Sequence, residues 1–293
     1  MPNSAPVSRQ KHPRQRARLA IFAPSDHHTC MNALCIQLDI AWENPLTNCR
    51  TVADMLRDID LQPGDLVVLP EMFSTGFTMN ASALAQPSDG PTATFLSETA
   101  ERFGVYLLGG LASRHAETFR NEALLLAPDG SVAGRYWKTH PFSPSGEGTH
   151  YAPGDETIVI PAGEFQLAPT ICYDLRFPEL FRTATSAGAN LIAVIANWPA
   201  KRADHWTCLL RARAIENQAY VVAANRCGAD PDHTYAGQSV IIDPLGNTLA
   251  AAGGDQCVIS APLDIETLNR WREDFPALRD IRSDVKQPPH QAS

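Results

Sequence analysis

The sequence predicts a layered α/β fold whose sheets are partly antiparallel. Apolar runs typical of buried strands alternate with stretches of helical spacing, which favours strands joined by crossover helices. Other neighbouring apolar runs are separated only by tight-turn sequences, such as Asp129-Gly130. The first pattern indicates parallel strands and the second indicates antiparallel hairpins, so mixed sheets follow.

The first part of the chain, from Met31 onward, alternates between strands and helices. Aliphatic and β-branched residues fill the strands, a Pro63-Gly64 turn precedes the second strand, and Gly104 ends the second helix. In order, the predicted elements are the strand 32–42, the helix 48–59, the strand 65–70, the helix 92–104, the strand 105–114 and a hairpin over 122–138.

The second part of the chain continues the same mixture. Its predicted elements are a hairpin over 156–173 that turns at Ala162-Gly163, the helix 178–188, the strand 190–197, the helix 203–219, the strand 220–226, a hairpin over 238–253, the strand 257–264 and a helix from about Ile265. No linker, repeat or low-complexity segment interrupts residues 31–282. We therefore expect one domain there, followed by a tail at 283–293.

Composition excludes several classes of protein. The 293 residues are 44% hydrophobic and 19% charged, which is typical of a globular protein with a sizeable core. The net charge of −8 argues against nucleic acid or an anionic membrane as a partner. No apolar run reaches the length of about 20 residues of a membrane helix, and seven cysteines without CxxC spacing predict reduced thiols. We expect a soluble, cytoplasmic protein.

Charge also marks a boundary near the N-terminus. Residues 1–30 carry five basic residues and one acidic residue, a net charge of +4, whereas the remainder carries 19 basic and 31 acidic residues, a net charge of −12. The segment has no hydrophobic periodicity. We therefore predict a flexible basic extension over 1–30, or initiation at Met31, with a targeting peptide as a third option.

Three reactive side chains follow apolar runs, where the chain leaves a predicted strand. Glu71 follows the strand 65–70, Lys138 ends the first hairpin, and Cys172 ends the strand of the second hairpin, just before a helix that begins at Pro178. Each has an ordinary explanation by itself, as a surface acid, an edge lysine or a buried thiol. Together they predict catalysis, because a carboxylate can deprotonate a thiol and an ammonium can stabilise a developing oxyanion. The other six cysteines are expected to be inert.

The strings LPEMFSTGF, GRYWKTHPF and ICYDLRFPELFR resemble the Glu, Lys and Cys signatures of the nitrilase, or carbon–nitrogen hydrolase, superfamily, and the similarity covers most of 31–265. The resemblance implies an α-β-β-α sandwich, one such unit per subunit, and a homodimer. It assigns Glu71 as general base, Lys138 as oxyanion stabiliser, Cys172 as nucleophile and Glu147 as the residue that positions the lysine. It implies no metal or organic cofactor.

The segments CYDLRFPE and NWPA…HW…LLRARAIENQAYV are most similar to the ω-amidase branch of that superfamily. This similarity implies a small-molecule substrate, the terminal amide of an α-keto acid amide such as 2-oxoglutaramate. A nitrilase, a carbamoylase and an amidase for deaminated peptides remain alternatives, because the three catalytic residues do not identify the leaving group. A non-enzymatic interaction module with an inactive site is the rival outside the enzymes.

Residues that contact the substrate are expected near the motif segments. The backbone N–H of Tyr173 would assist the oxyanion, and a carboxylate-bearing substrate would need local cations. The candidates for those cations are Arg176, Lys201, Arg202 and Arg226, and the candidates for the pocket walls are Phe73, Phe142 and Trp198. An ion pair of Arg176 with Glu179 or Asp174 is the alternative explanation for that arginine.

Overall fold

Two mixed β-sheets pack face to face, with helices on the outer side of each sheet. The structure is a computed structural model, and it describes residues 30–282. Apart from Cys30, the predicted extension over 1–30 and the tail at 283–293 lie outside the described residues, so these domain boundaries stay predictions. In the described part, no helix is long and apolar enough to cross a membrane.

Fifteen strands and six α-helices make up the described chain. The strands are β1 (Met31–Gln37), β2 (Leu66–Val68), β3 (Gln86–Pro87), β4 (Tyr106–His115), β5 (Thr118–Leu126), β6 (Val132–Trp137), β7 (Ile160–Ala162), β8 (Phe165–Ile171), β9 (Leu191–Ala196), β10 (Tyr220–Asn225), β11 (Cys227–Ala229), β12 (Thr234–Ala236), β13 (Val240–Ile242), β14 (Thr248–Ala251) and β15 (Cys257–Leu263). The helices are α1 (Pro45–Arg57), α2 (Ala81–Leu84), α3 (Pro91–Phe103), α4 (Pro178–Ser186), α5 (Ala203–Asn217) and α6 (Ile265–Asp274).

The first part of the chain, together with β15, builds one sheet, and strands between β6 and β15 build the other. The first sheet has the order β15-β1-β2-β4-β5-β6, with β3 beside β4, and the second has the order β14-β13-β10-β9-β8-β7. Strands linked by helices pair in parallel, as β1 does with β2 and β8 with β9. Strands linked by short turns pair antiparallel, as β5 does with β6 and β7 with β8. The predicted mixed α/β architecture is therefore confirmed.

Three apolar clusters correspond to the three interfaces between four layers. The cluster between the sheets joins side chains such as Val68 and Leu125 of the first sheet to Ile195 of the second. A second cluster packs α1 and α3 against the first sheet, and a third packs α4 and α5 against the second. Helix, sheet, sheet and helix thus succeed one another, as the predicted α-β-β-α sandwich requires.

The strand ends differ from the predictions in ways that shape the site. The first predicted strand covered 32–42, but β1 ends at Gln37 and the chain then leaves the ladder. The short pair β11 and β12 was not predicted, because its sequence CGADPDHTYA lacks the alternation of a strand. This pair forms one wall of the cavity described next.

Candidate active site

Glu71 and Cys172 meet in a single cavity of about 720 Å³ at the ends of strands from both sheets. Glu71 follows β2 by three residues, and Cys172 directly follows β8. Lys138 directly follows β6, and its Nζ lies 2.9 Å from Oε1 of Glu71. The structure therefore brings together the three residues that the strand exits predicted.

Cys172 is held in a turn of unusual backbone conformation. Its φ of 48° lies in the left-handed region, which non-glycine residues seldom adopt. The carboxylate of Asp174 stabilises this turn, because its Oδ2 accepts hydrogen bonds from the Ile171 N–H at 3.0 Å and from the Tyr136 hydroxyl at 2.8 Å. The nucleophile candidate thus lies in a left-handed turn directly after β8 and before α4.

Glu71 is fully buried, and both of its carboxylate oxygens accept hydrogen bonds. Oε1 accepts from Lys138 Nζ and, at 2.7 Å, from Asn121 Nδ2. Oε2 accepts from the backbone N–H of Asn197 at 2.8 Å. Glu71 and Cys172 line the same cavity, and the negative charge of Glu71 acts on the Cys172 thiol. A carboxylate is thus fixed in place beside the thiol.

Glu147 completes the buried cluster on the other side of the lysine. Its Oε2 lies 2.9 Å from Lys138 Nζ, and its Oε1 accepts from Asn121 Nδ2 at 2.8 Å. Glu147 and Lys138 are almost fully buried. Two carboxylates therefore share one ammonium, and the Asn121 amide supplies the additional donors that this excess of negative charge needs.

The electrostatics favour a neutral thiol beside an ionised carboxylate. Burial, followed by the negative charge of Glu71, raises the pKa of Cys172 well above its ordinary value. Burial by itself would raise the pKa of Glu71, but the Lys138 ammonium and the hydrogen bonds from Asn121 and Asn197 bring it below its ordinary value. Burial would likewise lower the pKa of Lys138, but Glu147 and Glu71 raise it. In the resting enzyme, the ionised carboxylate of Glu71 can therefore accept the thiol proton.

The cavity walls contain most of the predicted substrate-contact residues. Phe142, Tyr173 and Trp198 line the cavity with their rings, and the cations Arg176, Lys201 and Arg202 lie beside them. The guanidinium of Arg176 is 4.9 Å from the Trp198 ring, and that of Arg202 is 5.2 Å from the Phe142 ring. Aromatic faces thus support two cations within reach of a bound molecule.

The alternative ion pairs of Arg176 are not formed in the described chain. Its guanidinium donates instead to His205 Nδ1 at 3.1 Å. Asp174 is occupied by the turn at Cys172 and by the backbone N–H of His140, at 2.9 Å. The charge of Arg176 therefore remains available to the cavity.

Two expected contact residues lie elsewhere. Phe73 does not line the cavity: it is fully buried behind the first sheet, with its ring 6.4 Å from that of Phe95 on α3. Arg226 is also fully buried, and it donates to the carbonyl oxygens of Ile40, Cys227 and Ala229. The expectation of a pocket role fails for both, because each side chain leaves its strand end toward the protein interior.

Other residues of the site were not predicted. Asn197 directly follows β9, so the strand-exit rule that selected Cys172 would also have selected it. Asn121 lies inside β5, and the sequence carries no signal for its role. The loop between β11 and β12 adds Asp230 and His233 to the cavity wall. Among the described residues, no cluster of three His, Cys, Asp or Glu side chains could hold a metal ion.

An α-β-β-α sandwich in which a glutamate, a lysine and a cysteine meet at strand ends defines the nitrilase class of hydrolases. The chain belongs to the carbon–nitrogen hydrolase family, whose sequence profile matches residues 33–273. It is accordingly a hydrolase that acts on carbon–nitrogen bonds, and the predicted family is confirmed.

Several similar proteins are named as amidases. The chain is 42% identical over 247 residues to omega-amidase YafV of Yersinia enterocolitica, covering 84% of this chain and 94% of that protein. It is 35% identical over 253 residues to the 2-oxoglutaramate amidase of Bacillus subtilis, covering 86% of this chain and 97% of that protein. Both agree with the predicted branch of the superfamily.

Solved structures agree with the fold. XC1258 from Xanthomonas campestris, a CN-hydrolase superfamily protein with an arsenic adduct in its active site, has a TM-score of 0.83 and 33% identity, covering 88% of this chain and 99% of that one. A mutant amidase from Nesterenkonia sp. AN1 has a TM-score of 0.78 and 25% identity, covering 90% of this chain and 97% of that one. That amidase carries the acetamide moiety of fluoroacetamide covalently on its active-site cysteine.

Proposed function

We propose that this enzyme hydrolyses the terminal amide of a small α-keto acid amide, of the 2-oxoglutaramate type, to the acid and ammonia. The observation that carries the proposal is the presence of Cys172 and Glu71 in one cavity, with Glu71 hydrogen-bonded to Lys138. Relatives named as omega-amidase and 2-oxoglutaramate amidase support the substrate class.

The first half of the reaction forms a thioester. Glu71 takes the thiol proton while the sulfur of Cys172 attacks the amide carbon, because the raised pKa of the thiol leaves it protonated in the resting enzyme. Lys138 and the backbone N–H of Tyr173 stabilise the oxyanion. Glu71 then gives its proton to the leaving nitrogen, the carbon–nitrogen bond breaks, and ammonia departs.

The second half regenerates the thiol. Glu71 removes a proton from water, and the hydroxide attacks the thioester carbon. The carbon–sulfur bond breaks, the acid product leaves, and the proton on Glu71 returns to the sulfur of Cys172. Glu147 keeps Lys138 in place through both halves, since its Oε2 is 2.9 Å from the ammonium. Loss of one oxyanion donor should lower kcat by about 10²- to 10³-fold.

Arg176 and Arg202 bind the substrate carboxylate in this proposal. Both guanidinium groups lie on aromatic walls of the cavity, and neither forms an ion pair with a carboxylate in residues 30–282. Phe142, beneath Arg202, contacts the Tyr173 ring edge-on with centroids 5.0 Å apart. A short dicarboxylate-like molecule could therefore span from the thiol to the cations.

Trapping of the thioester tests the proposed nucleophile. The enzyme is mixed with 2-oxoglutaramate, quenched rapidly in acid and examined by intact-mass spectrometry for an acyl adduct, which peptide mapping should place on Cys172. The Cys172→Ala variant should form no adduct and release no ammonia. The matched variant Cys208→Ala, which changes an exposed thiol on α5, should retain full turnover. Full hydrolysis by Cys172→Ala would overturn the assignment.

A substrate panel tests the leaving group and the carboxylate site. Ammonia release from 2-oxoglutaramate is compared with three other activities. These are ammonia release from nitriles, cleavage of N-carbamoyl amino acids, and ammonia release from a neutral amide of similar length. We expect the carboxylate-bearing amide to give the highest kcat/KM. Arg202→Gln should raise KM for it and leave the neutral amide unaffected. A preference for nitriles or N-carbamoyl compounds would replace the proposed activity with one of the alternatives.

We also propose that the enzyme is a cytoplasmic homodimer. The dimer is supported by apolar side chains on one outer surface, where Ile215 of α5 adjoins the turn that carries Leu245, each nearly half exposed. The cysteine usage of the sequence supports the reducing compartment. Light scattering on Ile215→Asp, which should weaken the dimer, tests the first point, and cell fractionation tests the second.

A further inference from the structure

Asn121 connects all three charged members of the buried cluster. Its backbone carbonyl oxygen accepts a hydrogen bond from the Lys138 backbone N–H at 2.9 Å, so Asn121, inside β5, lies opposite the residue that directly follows β6. Its side-chain amide donates to Glu71 Oε1 at 2.7 Å and to Glu147 Oε1 at 2.8 Å. Asn121 is only 2% exposed.

The orientation of this amide is fixed by its neighbours. A primary amide nitrogen has two hydrogens, and here each one has a carboxylate oxygen as its acceptor. A reversed amide would place its carbonyl oxygen against two carboxylate oxygens, which is unfavourable unless both carboxyl groups hold a proton. Both donors are therefore used in the ionised cluster.

The same two oxygens also accept from the lysine. Lys138 Nζ lies 2.9 Å from Glu71 Oε1 and 3.1 Å from Glu147 Oε1. A proton on either Oε1 would displace one of these donors. If the displaced donor were the Asn121 amide, the cost would be a buried, unsatisfied N–H, because each amide hydrogen has only that one acceptor. Oε2 of Glu71 is held less tightly, because it accepts from the Asn197 N–H at 2.8 Å and from Asn197 Nδ2 only at 3.3 Å, and this amide also donates to the Glu71 carbonyl oxygen at 2.7 Å.

We propose that Asn121 is a positioning residue that keeps Glu71 ionised, holds Glu147 beside Lys138 and directs the proton of the Cys172 thiol to Oε2 of Glu71. The S–H bond breaks, an O–H bond forms at Oε2, and the sulfur electron pair becomes available for attack. The two carboxylates lie on either side of one ammonium and carry a net charge of −1 with it. Without the two amide donors, this buried cluster takes up a proton at a higher pH.

Asn121 should therefore affect the acid limb of the pH profile of thiol reactivity, the pH range in which alkylation of Cys172 slows on acidification. The hydrogen bond from Asn121 is one of the interactions that lower the pKa of Glu71. In Asn121→Leu, which keeps similar volume and lacks both donors, we expect the midpoint of this limb to rise by about one to two pH units. Asn121→Ser keeps one hydroxyl donor and should shift the midpoint by less.

The test is the pH dependence of alkylation by iodoacetamide, measured at Cys172 by peptide mapping. This inference rests on the proposed roles of Glu71 and Cys172, but alkylation needs no amide substrate, so an error in the proposed substrate leaves the result unaffected. Asn217→Leu is the matched control, because Asn217 is fully buried and its amide donates only to the backbone oxygen of Arg213, far from the cluster.

Circular dichroism first establishes that each variant is folded. A graded rise of the midpoint in Asn121→Ser and Asn121→Leu, with no rise in Asn217→Leu, supports the proposal. Unchanged midpoints in the folded Asn121 variants would overturn it. An equal rise in Asn217→Leu would also overturn it, because the shift would then reflect general destabilisation.

Discussion

Glu71 and Asn197, which follow strands of different sheets, are joined by two short hydrogen bonds and by a longer one of 3.3 Å from Asn197 Nδ2 to Glu71 Oε2. The backbone N–H of Asn197 donates to Glu71 Oε2 at 2.8 Å, and the Asn197 side-chain amide donates to the Glu71 carbonyl oxygen at 2.7 Å. One contact fixes the carboxylate and the other fixes the main chain that carries it. The residue that follows β9 in the second sheet thereby positions the base that follows β2 in the first.

This relationship predicts the effect of Asn197→Ala. The variant keeps the backbone donor to Oε2. It loses the weaker side-chain donor to Oε2 and the bond to the Glu71 carbonyl oxygen, which is buried and would remain unpaired. We expect the free energy of unfolding to fall by about 1–3 kcal/mol, because a buried carbonyl oxygen loses its partner. We expect kcat to fall about tenfold, because the carboxylate moves relative to the thiol. Chemical denaturation and steady-state kinetics measure the two effects. An unchanged kcat would show that the Asn197 side chain is not needed to position Glu71.

Gly110 allows the main chain at Glu71 to approach β4. A Cβ atom at this position would lie 2.5 Å from both Glu71 Cα and Met72 N, which are main-chain atoms that cannot move aside cheaply. Gly110→Ala should therefore destabilise the fold by about 3 kcal/mol and displace Glu71, with a loss of kcat of at least tenfold. Thermal unfolding and ammonia release measure both.

Gly253→Ala is the matched control for this substitution. A Cβ atom there meets nothing within 4 Å, and the residue does not need a positive φ. We expect a stability change within about 0.5 kcal/mol. Wild-type stability and activity in Gly110→Ala would contradict the close approach of β4 to Glu71.

The strand-exit rule explains how much of the site the sequence could predict. Glu71, Lys138 and Cys172 each follow an apolar run, and a chain leaving a buried strand places its next residues at the sheet edge. The rule does not say which way a side chain points. Arg226 also follows a strand, but backbone carbonyl oxygens surround it in the interior. Asn121 could not be predicted, because its role depends on the register between β5 and β6.

The fold was predictable for a related reason. Turn residues and hydrophobic periodicity determine which strands form hairpins, and these signals are local. The wall formed by β11 and β12 has no such signal, since its three-residue strands depend on contacts with distant parts of the chain. One of these is the bridge between Asp39 and Cys227. This part of the cavity was not predicted, because it depends on contacts between residues far apart in sequence.

The pH dependence of stability should reveal the buried carboxylate of Glu71. Its pKa in the folded protein lies below the ordinary value of 4.5, so the unfolded chain binds this proton more tightly. Ionised Glu71 therefore contributes stability above about pH 4.5, and this contribution is lost as the pH falls through the folded-state pKa. Each unit of pKa difference corresponds to about 1.4 kcal/mol.

Comparison of variants isolates that contribution. The free energy of unfolding is measured by urea denaturation between pH 6 and pH 3 for the wild type and for Glu71→Gln. The variant should be less stable at pH 6 and should lose less stability on acidification. Glu98→Gln, which changes an exposed carboxylate on α3, should follow the wild-type curve. Parallel curves for the wild type and Glu71→Gln would refute the lowered pKa.

The hydroxyl of Tyr136 supports the turn that presents the nucleophile. It donates to Asp174 Oδ2 at 2.8 Å, and that oxygen also accepts from the Ile171 N–H beside Cys172. Tyr136→Phe removes one donor from a buried carboxylate and should reduce stability by about 1–3 kcal/mol. Because the left-handed conformation of Cys172 depends on this turn, kcat should fall severalfold while KM changes little.

Tyr106→Phe provides the comparison for Tyr136→Phe. The Tyr106 hydroxyl also makes a hydrogen bond, accepting from the Gly163 N–H at 2.9 Å, but it lies outside the cavity and the Cys172 turn. This variant should therefore lose stability without losing kcat. Steady-state kinetics on both variants, with denaturation curves measured in parallel, separates the two effects. If Tyr136→Phe lost stability but kept its kcat, the turn would not depend on this hydroxyl for presenting the thiol.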